Sequence, residues 1–255
     1  MSLAGRVALV TGGGRGIGRA ISLALAEDGA DIAVNYRRDE EAAKQTAADI
    51  EAMGRRAMIY RASIDSWDED QAMVEQVAKD FSKIDILINN AGIASRGQSV
   101  ADTDPAEMER VVRTHAFGPH YLCKLAIPYM RDCGRGDVIF ISSAATAGMG
   151  PNGAPYNMGK AAMEALALTL FKEERKYGIH VNIVAPGLVE TEMGKRLARA
   201  TRGVQDIHEL DRTMPFGHVC QPSDVSDVVR YLVSERAGYL TGQRIYVDGG
   251  GGIWG

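Results

Sequence analysis

Tyr156 and Lys160 stand four residues apart, and Ser143 precedes the tyrosine by thirteen. On a helix, residues at a four-residue interval share one face, one turn from each other. A free tyrosine titrates near pH 10, too high for it to take a proton near neutrality. Lowering that value by about 2 to 3 units requires roughly 3 to 4 kcal/mol of preferential phenolate stabilisation. An ammonium one turn away has the right sign, and a helix N-terminus pushes the same way. Tyr156 is therefore read as general acid when a carbonyl is reduced and general base when an alcohol is oxidised. Lys160 would lower its pKa, and Ser143 would donate a hydrogen bond to the substrate oxygen.

A second cluster carries different chemistry. Residues 11–18 read Thr-Gly-Gly-Gly-Arg-Gly-Ile-Gly. Glycines let the backbone turn tightly against a pyrophosphate, and a following helix offers unpaired N–H groups and partial positive charge to phosphate oxygens. Turns also collect glycine, so the loop alone says little. This one closes an apolar run and opens a helical pattern, which is where dinucleotides bind in a parallel sheet. The next apolar run ends in Asn35-Tyr36-Arg37-Arg38, with no carboxylate before Asp39 to accept from the ribose hydroxyls of NAD. Arg15 and Arg37 could grip a 2′-phosphate through charge-assisted pairs. NADP is the expected cofactor, with NAD the alternative if both arginines face solvent.

These groups must be positioned by a scaffold, and the pattern supplies one. Short apolar runs bounded by turn residues alternate with segments of helical period, the signature of repeated βα units. Strands are expected over Arg6–Thr11, Asp31–Tyr36, Ala57–Arg61, Ile84–Asn89, Asp137–Ser142, His180–Ala185 and Arg244–Val247. Helices are expected over Ile17–Asp28, Glu40–Met53, Glu69–Phe81, Ala106–Arg131, Tyr156–Tyr177 and Ser223–Ser234, with Gly29, Gly54 and Gly178 at C-terminal stops. The fold class is α/β: a single Rossmann-type doubly wound domain over residues 1–255, with a seven-stranded parallel sheet flanked by helices. Residues 188–221 form a long connection, expected to be a substrate flap.

The 255 residues are 45% hydrophobic and 24% charged, values of a globular chain with material for a core. A net charge of −4 with dispersed Lys and Arg gives no basic face, so nucleic acid is not expected as a partner. Cys123, Cys133 and Cys220 are too scattered for a disulfide framework or a metal site, and a reducing cytoplasm is the expected location. Gly5 and Arg6 interrupt the first ten residues and no long apolar run follows, so neither signal peptide nor membrane span is expected.

Four separated motifs, in this order and spacing, resemble the short-chain dehydrogenase/reductase family over essentially the whole chain. They are the glycine loop, Asn89-Asn90-Ala91-Gly92, the Ser143/Tyr156/Lys160 set, and Pro186-Gly187 with Thr191. The resemblance implies a ketone/secondary-alcohol oxidoreductase acting on a small molecule, of the kind that includes 3-oxoacyl reductases and sugar dehydrogenases. It implies that Gly12, Arg15, Gly16, Ile17, Gly18 and Arg37 meet the cofactor. It further implies a backbone contact from Ile64, close approach at Asn90, Ala91 and Gly92, and a nicotinamide border of Pro186, Gly187, Val189 and Thr191. Tyr156 and Lys160 complete the cofactor contacts, with Lys160 on the nicotinamide ribose.

The chain departs from the family at three places. His115 stands where the family commonly has a catalytic Asn, whose backbone carbonyl holds a water near the lysine. Ser63 stands where the family has an adenine-contacting Asp, and Met158 where small residues are usual. An isomerase or lyase with a transiently used dinucleotide, or a non-catalytic dinucleotide sensor, are the alternative classes. The apolar sides of the two long helices, with Ile253 and Trp254 at the C-terminus, lead to the expectation of a homotetramer.

Overall fold

A computed structural model describes residues 2–250. Its strands are β1 (Val7–Val10), β2 (Asp31–Tyr36), β3 (Ala57–Arg61), β4 (Ile86–Asn89), β5 (Gly136–Ile141), β6 (Ile179–Pro186) and β7 (Arg244–Val247). They form one seven-stranded sheet in the order β3-β2-β1-β4-β5-β6-β7, parallel at each pairing. Every residue of β1, β4 and β5 is buried, as strands covered on both faces must be.

The helices are α1 (Gly16–Glu27), α2 (Glu40–Ala52), α3 (Trp67–Phe81), α4 (Pro105–Val112), α5 (Gly118–Met130), α6 (Ala145–Gly148), α7 (Ala154–Glu174), α8 (Glu192–Arg202) and α9 (Pro222–Leu232). Met73, Leu122 and Met163 carry α3, α5 and α7 into the core on one face of the sheet. Ile21, Ile50 and Val229 do the same for α1, α2 and α9 on the other. From β1 the chain winds outward through β2 and β3, and β4 then returns to the other side of β1. That reversal opens a crevice at the carboxyl ends of β1 and β4, where the glycine loop and Asn90–Gly92 emerge. Gly29, Gly54 and Gly178 have φ of 103°, 77° and 74°, so the predicted helix stops are left-handed turns that favour glycine.

The expectation of one regular helix over Ala106–Arg131 is corrected. A π turn, Arg113–Phe117, separates α4 from α5, and the Gly118 N–H reaches back five residues to the Arg113 carbonyl. Pro119 explains part of this, since a residue without an N–H cannot continue the ladder to residue 115. A π turn inside a helix inserts one residue and re-aims the side chains at it, which makes such turns frequent at functional sites. The residue at its centre is His115.

Residues 188–221 carry structure of their own: α8 and two short 3-10 turns, with Ala198, Ile207, Leu210 and Val219 forming a small separate core. In the first turn of α3, Asp70 is wholly buried and neither carboxylate oxygen has a partner among the described residues. Among the described residues no helix is long and apolar enough to cross a membrane.

Candidate active site

The glycine loop is locked to its neighbours by side chains that the sequence reading assigned elsewhere or passed over. Asn35, buried at the end of β2, accepts from the Gly12 N–H (3.1 Å) and donates to the carbonyls of Tyr60 (3.3 Å) and Ala62 (3.1 Å). The Thr11 hydroxyl accepts from the N–H groups of Asn90 and Ala91, both at 2.9 Å. The Asn90 amide donates to the Thr11 carbonyl at 2.8 Å, so it braces the loop. A Cβ on Gly18 would come within 2.2 Å of the Gly12 carbonyl oxygen, which fixes this glycine by the close approach of two backbones.

The residues present fit a dinucleotide phosphate. Asp39, Ser66, Asp104 and Thr191 each cap their helix by accepting from a first-turn N–H, at α2, α3, α4 and α8. The α1 N-terminus has no side-chain cap, as is also true of α5, α6 and α7, and it directly follows the glycine loop. Its first N–H groups and the helix dipole are left facing the crevice, as an anion site requires. The Arg15 side chain is largely exposed and 3.9 Å from Asp39, and Arg37 and Arg38 are exposed beside it. Ile64 is buried with its carbonyl against Gly118. The Ser63 N–H is taken by Glu69 at 2.8 Å and its hydroxyl is donated to Asp65, so the departure at Ser63 is absorbed locally.

Across the crevice, Pro186 and Gly187 are pinned between strands: the Pro186 carbonyl accepts from Ala144 N–H (2.8 Å) and Gly187 N–H donates to Val247 (3.0 Å). Val189 is buried and bridges to Cys220. Thr191 caps α8 through Gly194 N–H at 3.0 Å, and its methyl lies over Gly16 of the glycine loop. Residues 188–221 therefore begin against the crevice.

Ser143 follows β5, and Tyr156 and Lys160 lie on the first turns of α7. Burial of the phenol raises Tyr156 above its ordinary value, against the Ser143 hydroxyl beside it, which favours the phenolate. Lys160 is buried and donates to the Ile141 carbonyl at 2.6 Å, with its Nζ 5.7 Å from the Tyr156 ring centroid. Burial pushes the lysine down to about 7, opposed by the negative charge of Glu164. In the chain by itself, burial acts on both groups, raising the phenol and lowering the ammonium. What the geometry holds is a protonated phenol, the form that donates to a carbonyl oxygen.

His115 is buried, and burial, followed by the Lys160 charge, pushes it down to about 3. Its Nε2 lies 2.7 Å from the Ile93 carbonyl and 3.3 Å from the Ile93 N–H, donating to the first or accepting from the second according to tautomer, and the ring meets Tyr156 edge-on with centroids 5.2 Å apart. Gly92 and Gly159 make room for it: a Cβ at Gly159 would lie 2.8 Å from the His115 Cβ, and one at Gly92 2.5 Å from Cε1. Small size is thus needed at Gly159, whereas Met158 is 54% exposed and does not disturb the packing of α7. A neutral imidazole engaged with the Ile93 backbone is a poor proton donor to substrate. His115→Asn is expected to keep turnover within about tenfold of the parent, since the backbone carbonyl at this position is retained whichever side chain stands there. A loss beyond about a hundredfold in steady-state kinetics would show that the imidazole itself is required.

With this geometry established, the chain can be set beside known proteins. Residues 12–251 match a family model described as enoyl-(acyl carrier protein) reductase. The chain is 35% identical over 243 residues to the 3-oxoacyl-[acyl-carrier-protein] reductase FabG of Staphylococcus aureus, covering 95% of this chain and 96% of that protein. A short-chain dehydrogenase from Burkholderia cenocepacia, solved in complex with NADP, matches with a TM-score of 0.88 at 32% identity, over 98% of this chain and 99% of that one. An NAD+-bound xylitol dehydrogenase matches with a TM-score of 0.90 at 28% identity, over 98% and 100% of the two chains. The chain belongs to the short-chain dehydrogenase/reductase family and is an oxidoreductase of that family.

Proposed function

We propose that the chain interconverts a ketone and a secondary alcohol with NADP(H), and that Ser143, Tyr156 and Lys160 carry the proton chemistry. The observation behind this reading is two hydroxyls, Ser143 and Tyr156, side by side at the carboxyl end of β5 with a buried ammonium under the phenol ring. Both hydroxyls donate to the substrate oxygen. As negative charge grows there, the Tyr156 proton passes to it, and the Lys160 charge stabilises the phenolate left behind. The His115 carbonyl, which gains no helical donor from Pro119, is available to a water that returns the proton. When bound, the dinucleotide supplies or accepts the hydride.

Gly12, Arg15, Gly16, Ile17 and Gly18 would hold its phosphates at the uncapped end of α1. Ile64, Asn90, Ala91 and Gly92 would line the crevice floor, and Pro186, Gly187, Val189 and Thr191 its far wall. NADP is favoured over NAD because nothing at the end of β2 accepts from ribose hydroxyls. Asn35 is spent on the backbone, and Asp39 accepts from Ala42 N–H at 3.2 Å as the cap of α2. Arg37, and Arg15 on release from its 3.9 Å pairing with Asp39, would take a 2′-phosphate. The kcat/KM with NADPH is expected to exceed that with NADH by about tenfold or more, the factor given by one charge-assisted pair. Equal values would mean that both arginines face solvent.

A second reading, reduction of a carbon–carbon double bond, follows from the description of the matching family model. Two donors converging on one oxygen favour the ketone. Ketone-dependent loss of NADPH absorbance, with no loss when an enoyl thioester replaces the ketone, is the test, and the reverse pattern overturns it. Met158, Ala162 and Ala165 of α7 are exposed, as are Phe117 and Tyr129, and we assign this exposed apolar surface to a homotetramer. Ile253 and Trp254, read as a second contact, lie outside the described residues. Light scattering at monomer mass would contradict the assembly. The three cysteines are free, which suits a reducing compartment such as the cytoplasm.

A further inference from the structure

We propose that Glu164 is a positioning residue of this site: a buried carboxylate that holds the segment around Ser143 and sets the charge of Lys160, with Arg244 of β7 as its counter-ion. The inference rests on the reductase reading above and deepens it.

Glu164 lies one turn beyond Lys160 on α7, and its side chain is 7% exposed. One oxygen accepts from the Ser142 hydroxyl at 2.6 Å and the Thr146 hydroxyl at 2.8 Å. The other accepts from the Arg244 guanidinium at 2.8 Å. Ser142, just beyond β5, and Thr146 of α6 flank Ser143, so one carboxylate ties both sides of the orienting serine to the helix that carries Tyr156 and Lys160. A carboxylate is suited to this because it only accepts, and all three partners donate.

The second role is electrostatic. The charged and titratable groups around Lys160 are Tyr156 and Glu164 on α7 and His115 on the π turn. Among the described residues, β5 contributes the Ile141 carbonyl, the segment after it the hydroxyls of Ser142 and Ser143, and β7 contributes Arg244 behind Glu164. His115 is neutral and Tyr156 carries its proton, so Glu164 is the anion on which a charged Lys160 depends. Burial acts to discharge the lysine and Glu164 acts against it. Arg244 withdraws part of that support, since its own charge lies on the far side of the carboxylate. Because Glu164 is buried, salt screens the interaction little.

Opposite substitutions separate this role from a merely structural one. Glu164→Gln keeps the shape and an acceptor but removes the charge. Arg244→Gln removes the counter-ion at a partly exposed edge-strand position. The Lys160 ammonium would be titrated by NMR of protein labelled at lysine Nζ and Cε, with Lys160→Met to assign the signal, beside the pH profile of kcat for ketone reduction. Glu164→Gln is expected to move the Lys160 midpoint and the alkaline limb of kcat to lower pH by about one unit or more. Arg244→Gln is expected to move both to higher pH. Unchanged midpoints, or movement of both variants in one direction, would overturn the proposal. If Glu164→Gln does not fold, Arg244→Gln decides alone: an upward shift supports the proposal and none overturns it. If the parent reduces no ketone, the reductase reading fails, while the NMR titration still judges the charge network.

Discussion

Replacing Tyr156 with Phe is expected to lower kcat for ketone reduction about a thousandfold or more while leaving the affinity for NADPH within about threefold of the parent. The substitution removes one hydroxyl and keeps the ring, which packs edge-on against His115 at 5.2 Å between centroids and over the Lys160 ammonium at 5.7 Å. The packing of α7 on the π turn should therefore survive. What is lost is the proton donor, and general acid catalysis of this kind contributes about a hundredfold to ten-thousandfold. Ser143 would still hydrogen-bond the substrate oxygen, so substrate binding should weaken less than turnover. Steady-state kinetics with a parallel binding titration by cofactor fluorescence checks both halves. A residual rate within about tenfold of the parent would remove Tyr156 from the mechanism.

Asp70→Val is expected to raise the melting temperature by about 5 °C or more at pH 8, and by much less at pH 4. Asp70 has no exposed surface and no hydrogen-bond partner among the described residues. Burial, followed by the nearby charges of Asp65 and Glu69, raises its carboxyl to about 8. The first-turn position offers some relief, because the N-terminal dipole of α3 favours a carboxylate by about 1 kcal/mol, but that is less than the cost of stripping water from an unpaired charge. The folded-state value lies above the unfolded one. The carboxyl's contribution to stability is thus fully present below about pH 4 and is lost as pH rises toward 8. Over that interval the parent loses a few kcal/mol that the valine variant keeps, at about 2 to 4 °C per kcal/mol for a chain of this size. Thermal melts at the two pH values test this, and an equal gap at both would show that Asp70 is ionised or paired in the folded chain.

The residues whose chemistry depends on local spacing were legible in the sequence. The glycine loop must precede a helix to do its work, and Tyr156 with Lys160 must share one turn, so both features are written as short patterns. The alternation of strands and helices was legible for the same reason, and β2, β3 and β7 begin and end where the periodicity puts them. The π turn was not, because one inserted residue barely disturbs the apolar period of a long helical segment, and Pro119 was its only local signal.

Glu164 reads in the sequence as a polar break in an apolar helix. Its partners Ser142 and Arg244 lie 22 and 80 residues away, brought together only by the order of β5, β6 and β7. Asp70 sits in the run Asp68-Glu69-Asp70, which reads as dipole-complementing surface charge. Only the packing of α3 on the core shows that its last member is buried. The direction of the Tyr156 shift also required burial to be known, since spacing alone reports the ammonium and not the desolvation that opposes it.

The central claim is hydride transfer to a carbonyl carbon with Tyr156 as the proton donor. The most direct measurement offers the protein NADPH deuterated on either face of nicotinamide C4, with a panel of 3-oxoacyl thioesters, cyclic ketones, sugars and steroids, and analyses the products by mass spectrometry. The account predicts a secondary alcohol with deuterium on the carbinol carbon from one labelled face, formed by the parent and not by Tyr156→Phe. Alcohol without deuterium from either face, or equal product from both proteins, would contradict it.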